Sequence, residues 1–145
     1  WLEKQSLEGK TLIDFGCGSG ILGIAALLLG AEKVWAIDND PQALLASRDN
    51  AQRNGIADER LITLLPEQIP AEAKADIMVA NILAKPLIDL AHPNSDLTCK
   101  SGQLRLSGIL SRRIDQVSAA YIPQFIFEPA TIKDDWVQLS ANKQP

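Results

Sequence analysis

The chemistry of this chain concentrates in seven residues, Asp14-Phe15-Gly16-Cys17-Gly18-Ser19-Gly20. Glycines at alternate positions let a backbone turn sharply and approach a ligand closely, because they carry no Cβ and tolerate positive φ. The discriminating feature is the acid four residues before the middle glycine. A dinucleotide-binding turn is spaced G-x-G-x-x-G and presents its amides and a helix N-terminus to a pyrophosphate. Here the spacing is D-x-G-x-G-x-G; a carboxylate would repel a phosphate but attract a cationic amine or sulfonium. Two further polar side chains stand where strands should end. Asp38, eighteen residues past the last motif glycine, is placed to accept from ribose hydroxyls, with a solvated strand-end aspartate as the bland alternative. Asn39, a further candidate contact, and Asp40 also suit a turn and a helix cap. Asn81 closes an apolar run in the crevice where open α/β sheets bind ligands; capping the next helix is its structural alternative.

Such residues need strands and helices to hold them. Leu12 and Ile13 lead into Asp14, and Ile21 to Leu29 is apolar except for Gly23. The stretch reads as strand 11–16, the glycine turn, and a helix over 19–29 stopped at Gly30. Its apolar residues on all sides predict deep burial. Next come strand 33–38, a helix from the Asp40-Pro41 cap to about Asn54, and strand 60–65. Pro66 to Lys74 is a loop or weak helix, 75–81 an interior parallel strand, 84–98 partly helical, and 103–108 the fifth strand. Ser111 is the expected cap of a helix with Ile114, Val117, Ser118 and Tyr121 at i, i+3, i+4 and i+7, ending before Pro123. The last strands, about 125–132 and 135–141, leave Lys133-Asp134 between them and should form an antiparallel hairpin, followed by a polar tail over 142–145. Strands alternating with helices define an α/β fold.

Composition narrows the class. A chain of 145 residues, 46% hydrophobic and of mean hydropathy zero, is one soluble globular domain with a sizeable core. The apolar stretch 21–29 is too short to span a bilayer, and nothing resembles a signal peptide. Cys17 and Cys99 show neither metal spacing nor a disulfide framework, so a reducing cytoplasm is expected and no metal. A formal charge of −4 argues against a general nucleic-acid binder. The only methionine is Met78 and the chain begins at Trp1, so a piece of a longer polypeptide is expected, with residues 1–10 a linker remnant and 11–141 the working domain.

With its first motif, this chain resembles the class I methyltransferases, whose Gly-rich turn binds S-adenosylmethionine. The resemblance sharpens with motif order. Asp14-Phe-Gly-Cys-Gly-Ser-Gly-Ile-Leu, Asp38-Asn-Asp-Pro-Gln-Ala, Asn50-Ala-x-x-Asn54-Gly, Ala80-Asn-Ile-Leu-Ala and Ser107-Gly-Ile-Leu follow one another. Together they resemble the catalytic domain of the bacterial methyltransferases that modify the eleventh protein of the large ribosomal subunit, over residues 9 to 140. Amino-group methyltransferases commonly carry N/D-P-P-Y/F after strand four, and here Ile82, Leu83 and Ala84 replace the prolines and the aromatic. Cys99-Lys-Ser-Gly replaces the commoner Lys-Pro-Gly-Gly, and His92-Pro-Asn-Ser is unusually polar for its helix.

The resemblance implies a Rossmann-like, mostly parallel seven-stranded sheet with helices on both faces and an antiparallel C-terminal strand inserted into it. It implies S-adenosylmethionine as cofactor, S-adenosylhomocysteine as product and several methyl additions to lysine or N-terminal amines of that ribosomal protein, with no direct nucleic-acid or membrane partner. Asp14, Gly16, Cys17, Gly18, Gly20, Asp38, Asn39, Glu67 and Asn81 become candidate cofactor contacts, Glu67 being equally readable as a solvated loop residue. Asn81 and the Ile82 carbonyl become the groups that orient the acceptor nitrogen. Family members also carry an N-terminal recognition domain and a Thr/His-rich segment, neither of which is present in residues 1–10. Methylation of RNA or a small metabolite, a dinucleotide-dependent oxidoreductase, and a donor-binding piece inactive without that domain are the competing readings. Cys17 is otherwise a space-filler, His92 a surface histidine, Arg112-Arg113 a solvated face, and Trp35, Phe125, Phe127 and Trp136 core and sheet residues, with Trp136 alternatively bordering the acceptor.

Overall fold

The computed structural model describes residues 6–82, 84–122 and 124–145. Residues 1–5 of the expected linker, Leu83 of the Asn-Ile-Leu turn and the helix-ending Pro123 lie outside the described residues. The chain divides into two compact units at Ala75/Asp76.

The first unit is a parallel βα repeat. Strands β1 (Thr11–Phe15), β2 (Lys33–Ile37) and β3 (Leu61–Leu64) pair in the order β3-β2-β1, with Ile13 opposite Trp35 and Trp35 opposite Ile62. Leu12, Ile13, Val34, Ala36 and Ile37 are buried, the continuous apolar run that a covered parallel strand requires. Helix α1 (Ile21–Leu28) lies on β1 and β2, and α2 (Pro41–Arg53) on β3. Asp40 caps α2 by accepting from the Gln42 N–H at 2.9 Å, with Pro41 at N1 as expected. The predicted deep burial of α1 is corrected. Gly23, Ile24, Ala26 and Leu27 are buried, but Ile21 is 71% and Leu28 61% exposed. A helix lying on a sheet has one face against it, and residues seven apart on the other face stay outside however apolar they are.

The second unit carries the antiparallel part. Strand β4 (Ala75–Asn81) neighbours β5 (Thr98–Leu110), and β8 (Trp136–Lys143) lies between β5 and β6 (Phe125–Phe127), antiparallel to both. The implied insertion of an antiparallel C-terminal strand is therefore present. Helices α3 (Ala84–Asp89) and α4 (Ala91–Leu97) replace the single uncertain stretch, and α5 (Ile114–Tyr121) buries Val117 and Tyr121. Ser111 is no cap: it opens a 3₁₀ turn over Ser111–Arg113, and Arg113 occupies the N-cap position with no side-chain hydrogen bond.

The terminal strands differ from expectation in three ways. The predicted strand 125–132 is broken into β6 and β7 (Thr131–Lys133), giving eight strands among the described residues where seven were expected. The hairpin turn is Asp134-Asp135, since Lys133 pairs with Trp136; Asp134 sits at φ 57°, a left-handed backbone that aspartate tolerates. The polar tail is shorter, because Asn142 and Lys143 still pair with Ile126 and Phe125. Strand β5 starts five residues early, at Thr98, where Ser101 at φ 61° interrupts the alternation that would have revealed it. Among the described residues no helix is long and apolar enough to cross a membrane.

Candidate functional site

In the first unit the Gly-rich turn links β1 to α1. Gly16, Gly18 and Gly20 take φ of 79°, 55° and 86°, so each position demands the backbone freedom that only glycine supplies without strain. The Gly16 and Cys17 N–H groups donate to the Ile37 carbonyl at 2.7 and 3.0 Å, fastening the turn to the end of β2. Gly18 is held from both sides: its N–H donates to Asp38 Oδ2 at 3.0 Å, and its carbonyl accepts from Ser47 Oγ at 2.8 Å. A Cβ on Gly18 would meet nothing within 4 Å, so the turn is open at its apex, while one on Gly20 would lie 3.0 Å from Ser47 Oγ.

Asp38 therefore has a structural task the sequence did not reveal. Oδ2 takes the Gly18 N–H and Oδ1 takes the Asp40 N–H at 3.0 Å, leaving each oxygen further lone-pair capacity for a hydroxyl donor. Asp14 lies beneath the turn, only 2% exposed. Burial is the main reason its carboxyl is pushed up to about 7; the Gly23 N–H opposes the rise and the Asp38 charge adds to it. Its Oδ2 has no hydrogen-bond donor among the described residues. Cys17 is buried, its Sγ 3.5 Å from Ser47 Oγ, and desolvation first, then the neighbouring acids, raises its thiol to about 11, which leaves it little thiolate character. Asn39 and Glu67 are exposed, and Gln68 caps its own 3₁₀ turn by accepting from the Leu65 N–H.

Ser47 and Asn50 were missed as site residues. Both project from α2 onto the turn, Asn50 donating from Nδ2 to the Ser19 carbonyl at 2.9 Å. Asn50 was visible only as part of a motif and Ser47 not at all, because a serine in mid-helix carries no local signal. The helix spacing 47, 50, 51, 54 was the available clue.

The groups that hold the turn suit a particular ligand chemistry. Asp14 and Asp38 are acids, and Ser47 and Asn50 are neutral. A pyrophosphate would meet two carboxyl groups there, whereas a nucleoside bearing a cationic sulfonium and ammonium suits the orphaned buried Asp14 oxygen, and its hydroxyls suit the spare acceptor capacity of Asp38.

In the second unit, Asn81 is the exposed last residue of β4 and Ile82 follows it. With Gly108 and Trp136 they line a cavity of about 470 Å³. Trp136 is 53% exposed at the start of β8, so it is not the core residue first expected; it borders the cavity instead. Phe125 is buried, Phe127 is half-buried, and Trp35 is a half-buried sheet residue with Lys33 Nζ 4.1 Å above its ring.

A family model described as ribosomal protein L11 methyltransferase (PrmA) matches residues 1–144. The chain is 54% identical over 144 residues to a ribosomal protein L11 methyltransferase of Pseudomonas putida (strain W619) and 53% identical to that of Marinobacter nauticus. The match takes 99% of this chain but 49% and 48% of those proteins, so the chain spans about half the length of the curated relatives it matches. Among solved structures it is similar to a ribosomal protein L11 methylase from Lactobacillus delbrueckii subsp. bulgaricus, with TM-score 0.88, 33% identity, and coverage of 99% of this chain and 75% of that one. A methyltransferase from Pyrococcus furiosus matches 99% of this chain and 80% of its own at TM-score 0.80 and 15% identity, a likeness of fold alone.

Proposed function

We propose that this chain, which belongs to the ribosomal protein L11 methyltransferase family, binds S-adenosylmethionine through its first unit and N-methylates amino groups of ribosomal protein L11. The observation that carries the donor reading is the glycine turn pinned by Asp38 and Ser47 over the buried carboxyl of Asp14, with acids and neutral groups as its partners. Asp38 accepts from the ribose hydroxyls while it steadies Gly18, so one side chain shapes the turn and reads the ligand. Glu67 lies along the adenine, and Cys17 and Asn39 border the nucleoside. A cationic donor stabilises the ionised form of Asp14, whose carboxyl is otherwise pushed up to about 7 by burial, so this residue favours the positive donor over its neutral-sulfur product. A ribosomal-protein substrate fits action in the cytoplasm.

When bound, the donor supplies a methyl group on a sulfonium leaving group, so the protein's task is alignment. The acceptor amine must be neutral, and a free lysine has a pKa of about 10.4. Ile82 and Trp136 present apolar surface that would disfavour the charged form once a docked substrate covers it. Asn81 Oδ1 and the Ile82 carbonyl accept the amine's N–H groups and aim its lone pair. With no side chain assigned as general base, the displaced proton leaves to solvent.

Calorimetric titration with S-adenosylmethionine, S-adenosylhomocysteine and NAD tests the donor half. Binding of the first two without NAD is expected, and binding of NAD alone would overturn the reading. Asp38→Ala should weaken donor binding roughly tenfold or more, corresponding to the loss of charge-assisted hydrogen bonds. Asn81→Ala should cut kcat about a hundredfold with donor affinity kept, because alignment is what it removes. Transfer of labelled methyl to purified L11, compared with ribosomal RNA and small amines, tests the acceptor. The assay uses this chain and a chimera carrying the remaining half of one of the relatives. Label appearing in RNA or small amines but not in L11 would replace the protein acceptor.

A further inference from the structure

Resting on the proposed acceptor role of Asn81 and Ile82, we infer that Gly108 is a positioning residue that fixes both of their oxygens by having no side chain. Gly108 sits in β5 at φ 81°, where one extra residue between Leu106 and Ile109 is accommodated against β8. Such a bulge bends a strand locally and turns its neighbours to new directions. Here it presses a bare backbone against the end of β4. A Cβ on Gly108 would stand 2.9 Å from the Ile82 carbonyl oxygen, 3.3 Å from its carbonyl carbon and 3.0 Å from Asn81 Oδ1. The first two atoms are main chain and cannot swing aside, so any side chain at 108 displaces the Ile82 peptide and the Asn81 carboxamide together. Gly108 also lines the same cavity as those two residues and Trp136. The bulge is therefore the rear wall of the acceptor site, and the two oxygens rest on it.

The position carries two separable demands. The left-handed φ penalises any L-residue other than glycine, least for asparagine and aspartate. The close approach excludes every Cβ, whatever its backbone preference. Gly108→Ala violates both, whereas Gly108→Asn relaxes the first and keeps the second, which protects the test against a variant that merely unfolds.

Turnover on L11 is measured for both variants, for Asn81→Ala and for the doubles, in the preparation that transfers methyl groups, alongside donor affinity. Both Gly108 variants should lose about ten- to a hundredfold in kcat with donor Kd changed less than about twofold, since small misplacements cost this much in aligned reactions. Adding either to Asn81→Ala should cost less than it does alone, because the Asn81 share of the displacement is already gone and only the Ile82 share remains. Losses that multiply, or Gly108→Asn restoring wild-type kcat, would overturn the inference. An arm independent of turnover follows the Asn81 side-chain NH₂ signals by ¹⁵N NMR on this chain: they should shift in Gly108→Asn, and unmoved signals would overturn it. If wild type transfers no methyl to L11 while these signals do move, it is the acceptor assignment that falls and not the contact.

Discussion

A carboxyl group with no exit to water behaves differently from the same group on a surface, and Asp14 is the residue where this matters most. Burial raises its pKa from 3.8 to about 7, so the folded chain holds a proton there that the unfolded chain releases. The sign follows directly. This contribution to stability is fully present below about pH 3.8, declines as pH rises towards 7, and is flat above. Asp14→Asn removes the titration, so its stability should depend less on pH between 5 and 8 and exceed that of wild type at pH 8 by on the order of 1–3 kcal/mol, seen as a higher melting temperature there. Calorimetric melting of both proteins at the two pH values checks this; parallel slopes would remove Asp14 as the cause. The spacing of Asp14 before the glycines was legible in the sequence, as was the chemistry of an acid beside a cation. Its depth was not, because a strand-end aspartate looks the same whether solvated or enclosed by a helix that starts several residues later.

At the scale of elements, α2 is more than a connector between β2 and β3. One of its faces carries Ser47 and Asn50 to the carbonyls of Gly18 and Ser19, tying the apex of the turn to a helix. Ser47→Ala leaves the Gly18 carbonyl without that donor, and Asn50→Ala does the same at Ser19. Each should weaken S-adenosylhomocysteine binding about fivefold, corresponding to about 1 kcal/mol for a lost hydrogen bond, with the Ser47 variant the more severe because its hydroxyl is fully buried. Calorimetry reads this, and an affinity unchanged alongside a lower melting temperature would restrict both residues to structure. Elements whose signals are local were legible here: the Asp40-Pro41 cap, the apolar β4 and the i, i+3, i+4, i+7 spacing of α5. Elements defined by distant partners were not. Strand β5 begins at Thr98, ahead of the positive-φ Ser101, where the local residues carry no strand pattern, and Trp136 could be read either as a sheet residue or as a border of the acceptor site until Asn81, Ile82 and Gly108 were placed beside it.

At the scale of the molecule, the chain makes two units with different pairing logic. The first is assembled from successive neighbours, each strand parallel to the one that preceded it. In the second, β8 pairs with β5, β6 and β7, so one strand joins three others. Ala141, fully buried, faces Leu104 on one side and Phe127 on the other. Ala141→Pro removes a ladder donor in the middle of these pairings and should destabilise by about 3 kcal/mol or more. Hydrogen exchange should then show loss of protection in both β5 and β6, whereas loss in only one would mean that β8 does not couple them. The pairing order also sets a timetable for synthesis. The eight residues Trp136–Lys143 are made after every strand they hold together. Until they leave the ribosome, β5 and β6 have open edges facing an unfilled place between them. A nascent chain paused short of Trp136 exposes unpaired backbone to any neighbour able to add a strand. The closing strand thus makes the emergence of Trp136–Lys143 the event that ends the exposure of those edges.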